Sequence, residues 1–216
     1  MIKLNFKQLV YGFTVFAVSL CLIRIFKSEG RSYIFLLWNL FLAYVPWWIS
    51  NYFKQKNALS AKDTPLLLVW LLFLPNAPYM LTDLFHLRQR PSIPLWFDLV
   101  LILSFAFIGL LIFYRSLRDM TELFRKYMSP GLLTCSIYAV FWLISFGLYL
   151  GRFLRFNSWD ILHPLSLGKA CFRLLLDERT LKDVTAFTLI FSTFLMFLFF
   201  MITHLDREEK PIPKAL

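Results

Sequence analysis

Long apolar segments separated by short polar ones constrain this chain more than any other feature. A helix needs about 20 apolar residues to cross the hydrocarbon core of a bilayer. Charged residues make up 17% of the chain and lie mainly between these segments, whereas a soluble domain carries about 25%. The sequence therefore predicts an all-α integral membrane bundle of about six transmembrane helices. The apolar segments cover approximately residues 9–26, 33–53, 66–81, 95–114, 131–151 and 184–204.

The domain organisation predicted from this pattern is simple. Residues 1–205 form a single polytopic membrane domain, and residues 206–216 form a polar C-terminal tail that contains two prolines. Lys3 and Lys7 precede the first apolar run, as in a signal peptide, but no small-residue cleavage pattern follows. We therefore expect the first apolar segment to be retained as a span.

The net charge of +10 raises the question of a nucleic-acid partner. No basic stripe lies on a separate soluble domain, and lysine and arginine are common at the ends of membrane helices. We therefore expect a lipid bilayer and no nucleic acid as partner. The three cysteines contain no CxxC pair, so we assign neither a disulfide nor a metal site, and the cofactor stays unknown.

The distribution of lysine and arginine bears on orientation. Six spans place both termini on one side, and 12 basic residues then lie on that side against 11 on the other. The positive-inside rule alone decides little from such a balance. Without the connection 152–183 the count is 12 against 5. The charges of that connection need not act as a topology signal, because it contains the apolar stretch ACFRLLL, which is compatible with an interfacial or re-entrant helix. We therefore expect cytoplasmic termini in a multi-pass protein of the cell membrane.

The third apolar segment is interrupted within LFLPNAPYMLTDLFHL, residues 72–87. Pro75 and Pro78 each remove a backbone donor and crowd the preceding turn, so we predict a break or kink near Leu74. A second short helix is then expected to start near Asn76, with Asn76 as its N-cap.

On that second helix the spacing places three polar side chains on one face: Tyr79, Asp83 and His86 lie at i, i+4 and i+7. A carboxylate one turn from an imidazole can orient it, raise its pKa or ligate a metal with it. The alternative is a proline kink that serves packing, with ordinary interfacial polar residues after it. Asp83 and His86 supply a carboxylate and an imidazole, and these two ligand types alone do not define a metal site.

A second polar cluster ends the fifth segment, in GRFLRFNSWDIL at residues 151–162. Arg152 and Arg155, at i and i+3 of a helix end, are expected to be neighbours. Two guanidinium groups there suit a phosphate or carboxylate, although arginine at a span's end commonly extends to the headgroups. Ser158 is a candidate cap of a following helix. The remaining candidates in this cluster are Asn157, Trp159 and Asp160.

Topology predicts that these clusters share one membrane face. The third and fifth spans run in the same direction, so their C-terminal ends lie on the same side. The fourth span starts there with PLWFD, which puts Asp98 about a turn inside the apolar run. Asn39 lies roughly 9 Å inside the second span at 1.5 Å per residue. An ionisable group within a span indicates function, but Asp98 can also pair with an arginine or cap its helix. Asn39 is expected to make a helix-to-helix hydrogen bond.

Three sequence motifs resemble an uncharacterised family of small bacterial polytopic membrane proteins with a domain of unknown function. They are FLPNAPYMLTDLFHL (73–87), PLWFD (94–98) and GRFLRFNSWD (151–160), and the resemblance covers most of the chain. The family more often has Tyr at the position of Phe97 and Trp at that of Phe156. The resemblance implies a bacterial multi-span membrane protein and supplies no activity.

The sequence leaves three functions open. The leading hypothesis is a membrane-embedded binding site or enzyme acting on a polar or anionic headgroup-like ligand. Arg152 and Arg155 would hold the anion, and Asp83 and His86 would supply acid/base chemistry or metal ligation. The alternatives are a transporter or channel for an ion or small solute, and a scaffold or assembly factor without a ligand; homo-oligomerisation also stays open. Asp98 and Asp160 join Asp83 and His86 as candidate catalytic residues, and both would also orient the site. Asn76 and Asn157 would orient it as ligand-binding residues, with Tyr79 and Trp159 as further ligand contacts.

Overall fold

The structure, a computed structural model, describes residues 5–27, 33–56, 58–89 and 93–208, and the regular secondary structure there is helical. Short 3-10 turns cover Ala61–Asp63, Asp83–His86 and Ser158–Leu162. The chain divides into two compact units, Met1–Met128 and Ser129–Leu216. The α-helices are α1 (Phe6–Lys27), α2 (Phe35–Lys54), α3 (Thr64–Phe73), α4 (Asn76–Thr82), α5 (Leu95–Phe124), α6 (Pro130–Phe153), α7 (Pro164–Leu176) and α8 (Glu178–Glu208).

Within the described ranges, five helical stretches are long and apolar enough to cross a membrane. Many of their large apolar side chains are exposed on the protein surface, where lipid tails would cover them. Lengths and compositions of this kind are those of a multi-pass membrane protein. The 20-residue helix α2 is not among the five, because its Trp, Tyr and Asn residues lower its hydropathy. The five stretches are Phe6–Lys27, Ala61–His86, Leu95–Phe124, Pro130–Phe153 and Glu178–Leu205.

In the first unit, α5 is the central helix, and α1, α2 and α4 pack against it. α1 runs antiparallel to α5, since Arg24 in its last turn contacts Asp98 in the first turn of α5. At the other end, the Arg115 guanidinium lies 5.5 Å from the Phe6 ring centroid. We call the end where α1 and α4 finish and α2 and α5 begin the polar end.

The junction between α3 and α4 interrupts hydrogen bonding while the backbone keeps helical dihedral angles. Leu74 (φ −55°, ψ −37°) and Pro75 (φ −61°, ψ −25°) both lie in the right-handed helical region. The Asn76 side-chain nitrogen donates to the Phe73 carbonyl at 2.9 Å, and Pro75 occupies the N-cap position. The prediction that Asn76 caps the second helix is therefore wrong, because the preceding residue is not extended and the Asn76 side chain turns back towards α3.

Gly109 allows α4 to approach α5 closely beside this junction. A Cβ atom at Gly109 would lie 2.4 Å from the Ala77 carbonyl oxygen and 3.2 Å from the Met80 sulfur. Real Cβ atoms do not approach backbone oxygens so closely, so a larger residue would require one helix to move. The glycine therefore fixes the spacing between the junction and the central helix.

The second unit consists of α6, α7 and α8. Its core includes Tyr149 of α6, Leu174 of α7 and Val184 of α8. The helix α7 has 13 residues and is about 20 Å long at 1.5 Å per residue, which is too short to cross a bilayer. The sequence expectation of a helix in the connection before the last span is confirmed; its location at the membrane surface stays a prediction.

Candidate functional site

The polar end of the first unit contains an ion pair between buried side chains. Arg24 Nε donates to Asp98 Oδ1 at 2.6 Å and Nη2 donates to Oδ2 at 3.2 Å. The two side chains are 0% and 1% exposed. The guanidinium carbon also lies 5.3 Å from the centre of the Tyr33 ring. The bidentate geometry joins α1 to α5 and satisfies both carboxylate oxygens of Asp98.

This pair answers one question that the sequence left open. Asp98 pairs with an arginine, and α5 has no side-chain capping bond at its start. Sequence reasoning counted Arg24 only as a topology signal and missed it as a site residue. The signal that identifies it is its place inside the first apolar segment, where a guanidinium needs a counter-charge.

One nitrogen of Arg24 is left over from the ion pair. Within the described part of the chain, Nη1 is buried and has no hydrogen-bond partner. A buried donor without an acceptor costs about 1–3 kcal/mol. The polar end therefore holds a cationic donor that a ligand oxygen or a water molecule can satisfy.

Asn39 and Asp83 form a second polar contact at this end. Asn39 Nδ2 donates to Asp83 Oδ2 at 3.0 Å, and Asp83 is 1% exposed. The expectation of a helix-to-helix hydrogen bond from Asn39 is confirmed, with the 3-10 turn after α4 as its partner. The contact holds the Asp83 carboxylate in a fixed orientation beneath the surface.

His86 lies at the end of the same 3-10 turn but in a different environment. Its side chain is exposed, its carbonyl accepts from the Tyr33 hydroxyl at 3.2 Å, and its ring centroid is 5.0 Å from that of Phe35. The predicted α-helix through His86 ends instead at Thr82, and a 3-10 turn follows. Side chains three residues apart are aligned in such a turn, so a common face for Asp83 and His86 stays a prediction, although Asp83 is buried and His86 is exposed.

The second unit contains the predicted arginines, but they do not lie one turn apart on a helix. α6 ends before Arg155, which is exposed and has a left-handed backbone (φ 59°). The N–H groups of Leu154 and Phe156 both donate to the Leu150 carbonyl at 3.1 Å, closing the helix around this residue. The predicted helical i, i+3 geometry of Arg152 and Arg155 is therefore wrong, since Arg155 lies beyond the end of the helix in a left-handed conformation.

The rest of the second cluster forms a 3-10 turn. Asn157 is its N-cap, and its N–H donates to Asp160 Oδ2 at 2.6 Å. The prediction of Ser158 as the cap is wrong by one residue, because the carboxylate three residues after Asn157 completes the capping arrangement. Trp159 is exposed on this turn. The carboxylate of Asp160 therefore holds the local backbone, and its assignment as a catalytic residue stays a prediction.

The sequence model of a family described as "Protein of unknown function (DUF1361)" matches residues 38–202. The chain belongs to the DUF1361 family. The resemblance to a family with a domain of unknown function is thereby confirmed. No curated protein and no solved structure matches the chain. The DUF1361 match includes Asn39, Asp83 and Asp98 and begins after Arg24.

The opposite end of the first unit carries ion pairs whose cations are partly exposed. Asp119 accepts from Lys54 at 2.9 Å and from Arg115 at 3.3 Å, and both cations reach solvent. Lys56 donates to Asp63, and this hydrogen bond raises the pKa of the lysine above its ordinary value. These pairs fix the ends of helices in the DUF1361 chain and provide matched controls for the polar end.

The structure also bears on metal binding. Within the described ranges, no three His, Cys, Asp or Glu side chains come together in a way that could hold a metal ion. The side chains at the polar end include a buried guanidinium, two buried carboxylates and an exposed imidazole.

Proposed function

We propose that this chain is a six-span membrane protein whose polar end binds a polar, headgroup-like ligand at the membrane face opposite the termini. The observation that carries the proposal is the buried Arg24 Nη1 group, a cationic donor without a partner in the described structure. It lies among apolar helices, where an unsatisfied donor is costly and a phosphate or ester oxygen would be bound well.

The sixth span is α2. Its 20 residues extend about 30 Å, the thickness of the hydrocarbon core. Asn39, near its start, bonds to Asp83 at the polar end, and Lys54, at its end, bonds to Asp119 near the end of α5. These two contacts lie at opposite ends of the first unit, so α2 extends from one end of this unit to the other.

The side chains at the polar end suit different parts of a ligand. Arg24 would donate to an anionic or ester oxygen, while Asp98 keeps the guanidinium in place. Asp83 is held by Asn39, and the imidazole of His86 is exposed to water. This combination suits acid/base chemistry on a bound headgroup. Arg152 and Arg155 remain proposed anion ligands in the second unit.

Transport of an ion or small solute is the second candidate. It is favoured by the α3–α4 junction, where the proline at position 75 leaves the Leu71 carbonyl without its helical donor. Freed carbonyls coordinate ions in transporters with interrupted helices. Asn76, however, already donates to the Phe73 carbonyl there. Ion or solute flux in reconstituted liposomes distinguishes this candidate from a binding site.

The binding site is tested with purified protein in detergent. Co-purified lipids are identified by mass spectrometry, and Tm is measured with glycerol 3-phosphate and with phosphoethanolamine as headgroup probes. We expect a probe to raise the Tm of the unaltered protein and of Asp119→Asn, the control at the opposite end. Asp83→Asn and Arg24→Lys should lose the shift, and Arg24→Lys keeps the charge while removing Nη1. An equal shift in all four proteins, or none in any, would overturn the proposal.

The topology is tested by cysteine labelling in intact cells after replacement of Cys21, Cys135 and Cys171. Single cysteines at Ile34 and Lys56, which flank α2, should react with a membrane-impermeant reagent from opposite sides if α2 crosses the membrane. Asn157→Cys should label from the same side as Ile34→Cys, the outside. Labelling of both α2 flanks from one side would show that α2 does not cross the membrane.

A further inference from the structure

We propose that α7 lies in the bilayer interface and binds anionic phospholipid headgroups through a basic edge. This inference concerns the second unit and is independent of the ligand site at the polar end of the first unit. It identifies an interaction surface and its partner, which is the lipid on one face of the membrane.

One side of α7 is occupied by protein. Leu174 is buried against Tyr149 and Val184, in the core that joins α7 to α6 and α8. This packing holds the helix along the end of the α6–α8 pair. The remaining sides of α7 face away from its own unit.

A second apolar stripe lies on the side of α7 away from this core. Leu165, Phe172 and Leu176 are 80%, 61% and 70% exposed. They are spaced seven and four residues apart, so they lie on one face of the helix. The helix therefore presents apolar side chains both to its own unit and to its surroundings.

A basic edge adjoins the exposed stripe. Lys169 and Arg173 are four residues apart, both are exposed, and α7 contains no acidic residue. Residues four apart are neighbours on a helix, so the two cations form one patch. An apolar stripe with a cationic border is the pattern of helices that lie in a membrane interface.

The position of α7 in the chain selects the bilayer as the occupant of this stripe. α7 connects α6 and α8, both long and apolar enough to cross a membrane, and it is too short to cross itself. Both its ends are therefore held at the same membrane face. Headgroup phosphates complement the basic edge, and the outer acyl carbons complement the stripe.

The test uses full-length protein without native cysteines, with bimane attached at Phe172→Cys on the stripe or at Ser166→Cys on the polar side. The proteins are placed in nanodiscs of phosphatidylcholine with or without phosphatidylglycerol, and quenching by brominated acyl chains is measured. We expect strong quenching of the bimane at position 172 and little at position 166. The free thiol at position 166 should react faster with an aqueous reagent than the free thiol at position 172.

Lipid preference is measured by native mass spectrometry of protein released from mixed nanodiscs. Lys169→Gln/Arg173→Gln should lose the enrichment of phosphatidylglycerol, and Lys182→Gln should keep it, because Glu178 already neutralises that lysine. If phosphatidylglycerol is enriched as strongly in the double variant as in the unaltered protein, the headgroup assignment is overturned. Equal aqueous reactivity at 172 and 166 would show an uncovered stripe, and protection at 172 without quenching would show a protein partner; either overturns the proposal.

Discussion

Arg24 and Asp98 are 74 positions apart in the sequence and form a bidentate ion pair in which both side chains are almost fully buried. The pair joins the last turn of α1 to the first turn of α5 and sets the relative position of the two helices. Burying two charges costs several kcal/mol each, and their attraction offsets this only while both are present. Removing one partner is therefore expected to be worse than removing both.

Asp98→Asn should lower the free energy of unfolding by about 3–5 kcal/mol, because it leaves the Arg24 charge buried without a counter-charge. The double variant Arg24→Leu/Asp98→Leu should recover most of that loss. Unfolding in mixed detergent micelles by SDS titration measures both. Glu122→Gln, which removes an exposed pair with Arg118, is the control and should have little effect. A double variant less stable than Asp98→Asn would contradict this account.

Asn39→Leu should destabilise the first unit by about 1–2 kcal/mol, since it removes an interhelical hydrogen bond to Asp83. Asn51→Leu is the matched control on the same helix, because Asn51 donates within α2, to the Trp47 carbonyl at 2.8 Å. The same SDS titration compares them. Equal losses would mean that the contact with Asp83 contributes no more than a bond within one helix.

Gly109→Ala should destabilise the bundle by about 1–3 kcal/mol, because the new methyl group would overlap the Ala77 carbonyl and force α4 and α5 apart. Gly12→Ala is the control, as a Cβ there meets no atom within 4 Å. It should be neutral or stabilising by up to ~1 kcal/mol. Thermal unfolding of the two variants gives the comparison, and a neutral Gly109→Ala would refute the close approach.

Ser116→Ala should cost about 1–3 kcal/mol, because Ser116 links three helices. Its hydroxyl accepts from Trp70 Nε1 and donates to the Pro46 carbonyl, both at 2.9 Å. Ser104→Ala serves as the control, since the Ser104 hydroxyl donates to the Val100 carbonyl of its own helix. The fluorescence of Trp70 during thermal unfolding, in a variant with the other tryptophans replaced by Phe, reports local loosening.

The start of α8 should lose stability in acid. Thr180 donates side-chain and backbone hydrogen bonds to the Asp177 carboxylate, and these lower the pKa of Asp177. A lowered pKa in the folded state stabilises the fold above the ordinary aspartate value of about 3.9. That contribution is lost as the pH falls from this value through the lowered pKa.

Thr180→Val should return the Asp177 pKa towards its ordinary value, and a carbon-13 NMR titration of the carboxyl group in micelles measures the change. Asp177→Asn should remove the acid-dependent part of helix fraying at Leu181, whose N–H donates to the Asp177 carbonyl at 2.8 Å. An unchanged titration in Thr180→Val would show that the hydrogen bonds do not set the pKa.

The sequence predicted the helical class and the membrane character because both follow from segment length and hydropathy. It also predicted the partner types of Asn39 and Asp98, since a polar group in a span requires another polar group. The identity of Arg24 as the partner of Asp98 could not be read from the sequence. The two residues lie on helices far apart in the chain, and only packing brings them together.

Local geometry at helix ends was the least predictable part. The sequence placed Arg152 and Arg155 on one helix, because apolar periodicity does not reveal a left-handed residue that is not glycine. It extended an α-helical register to His86, although the chain tightens into a 3-10 turn after Thr82. Both errors arise where backbone hydrogen bonding changes type, which side-chain patterns do not encode.

The ion pair between Arg24 and Asp98 also has a consequence during biosynthesis. Asp98 is made 74 residues after Arg24, so at about 5–20 residues per second the guanidinium waits about 4–15 s for its counter-charge. During this interval the long side chain of Arg24, in the last turn of α1, can extend to the headgroups. We therefore expect this side chain to leave the headgroups for the protein interior only when α5 is inserted, so that the middle helix completes the packing of the first.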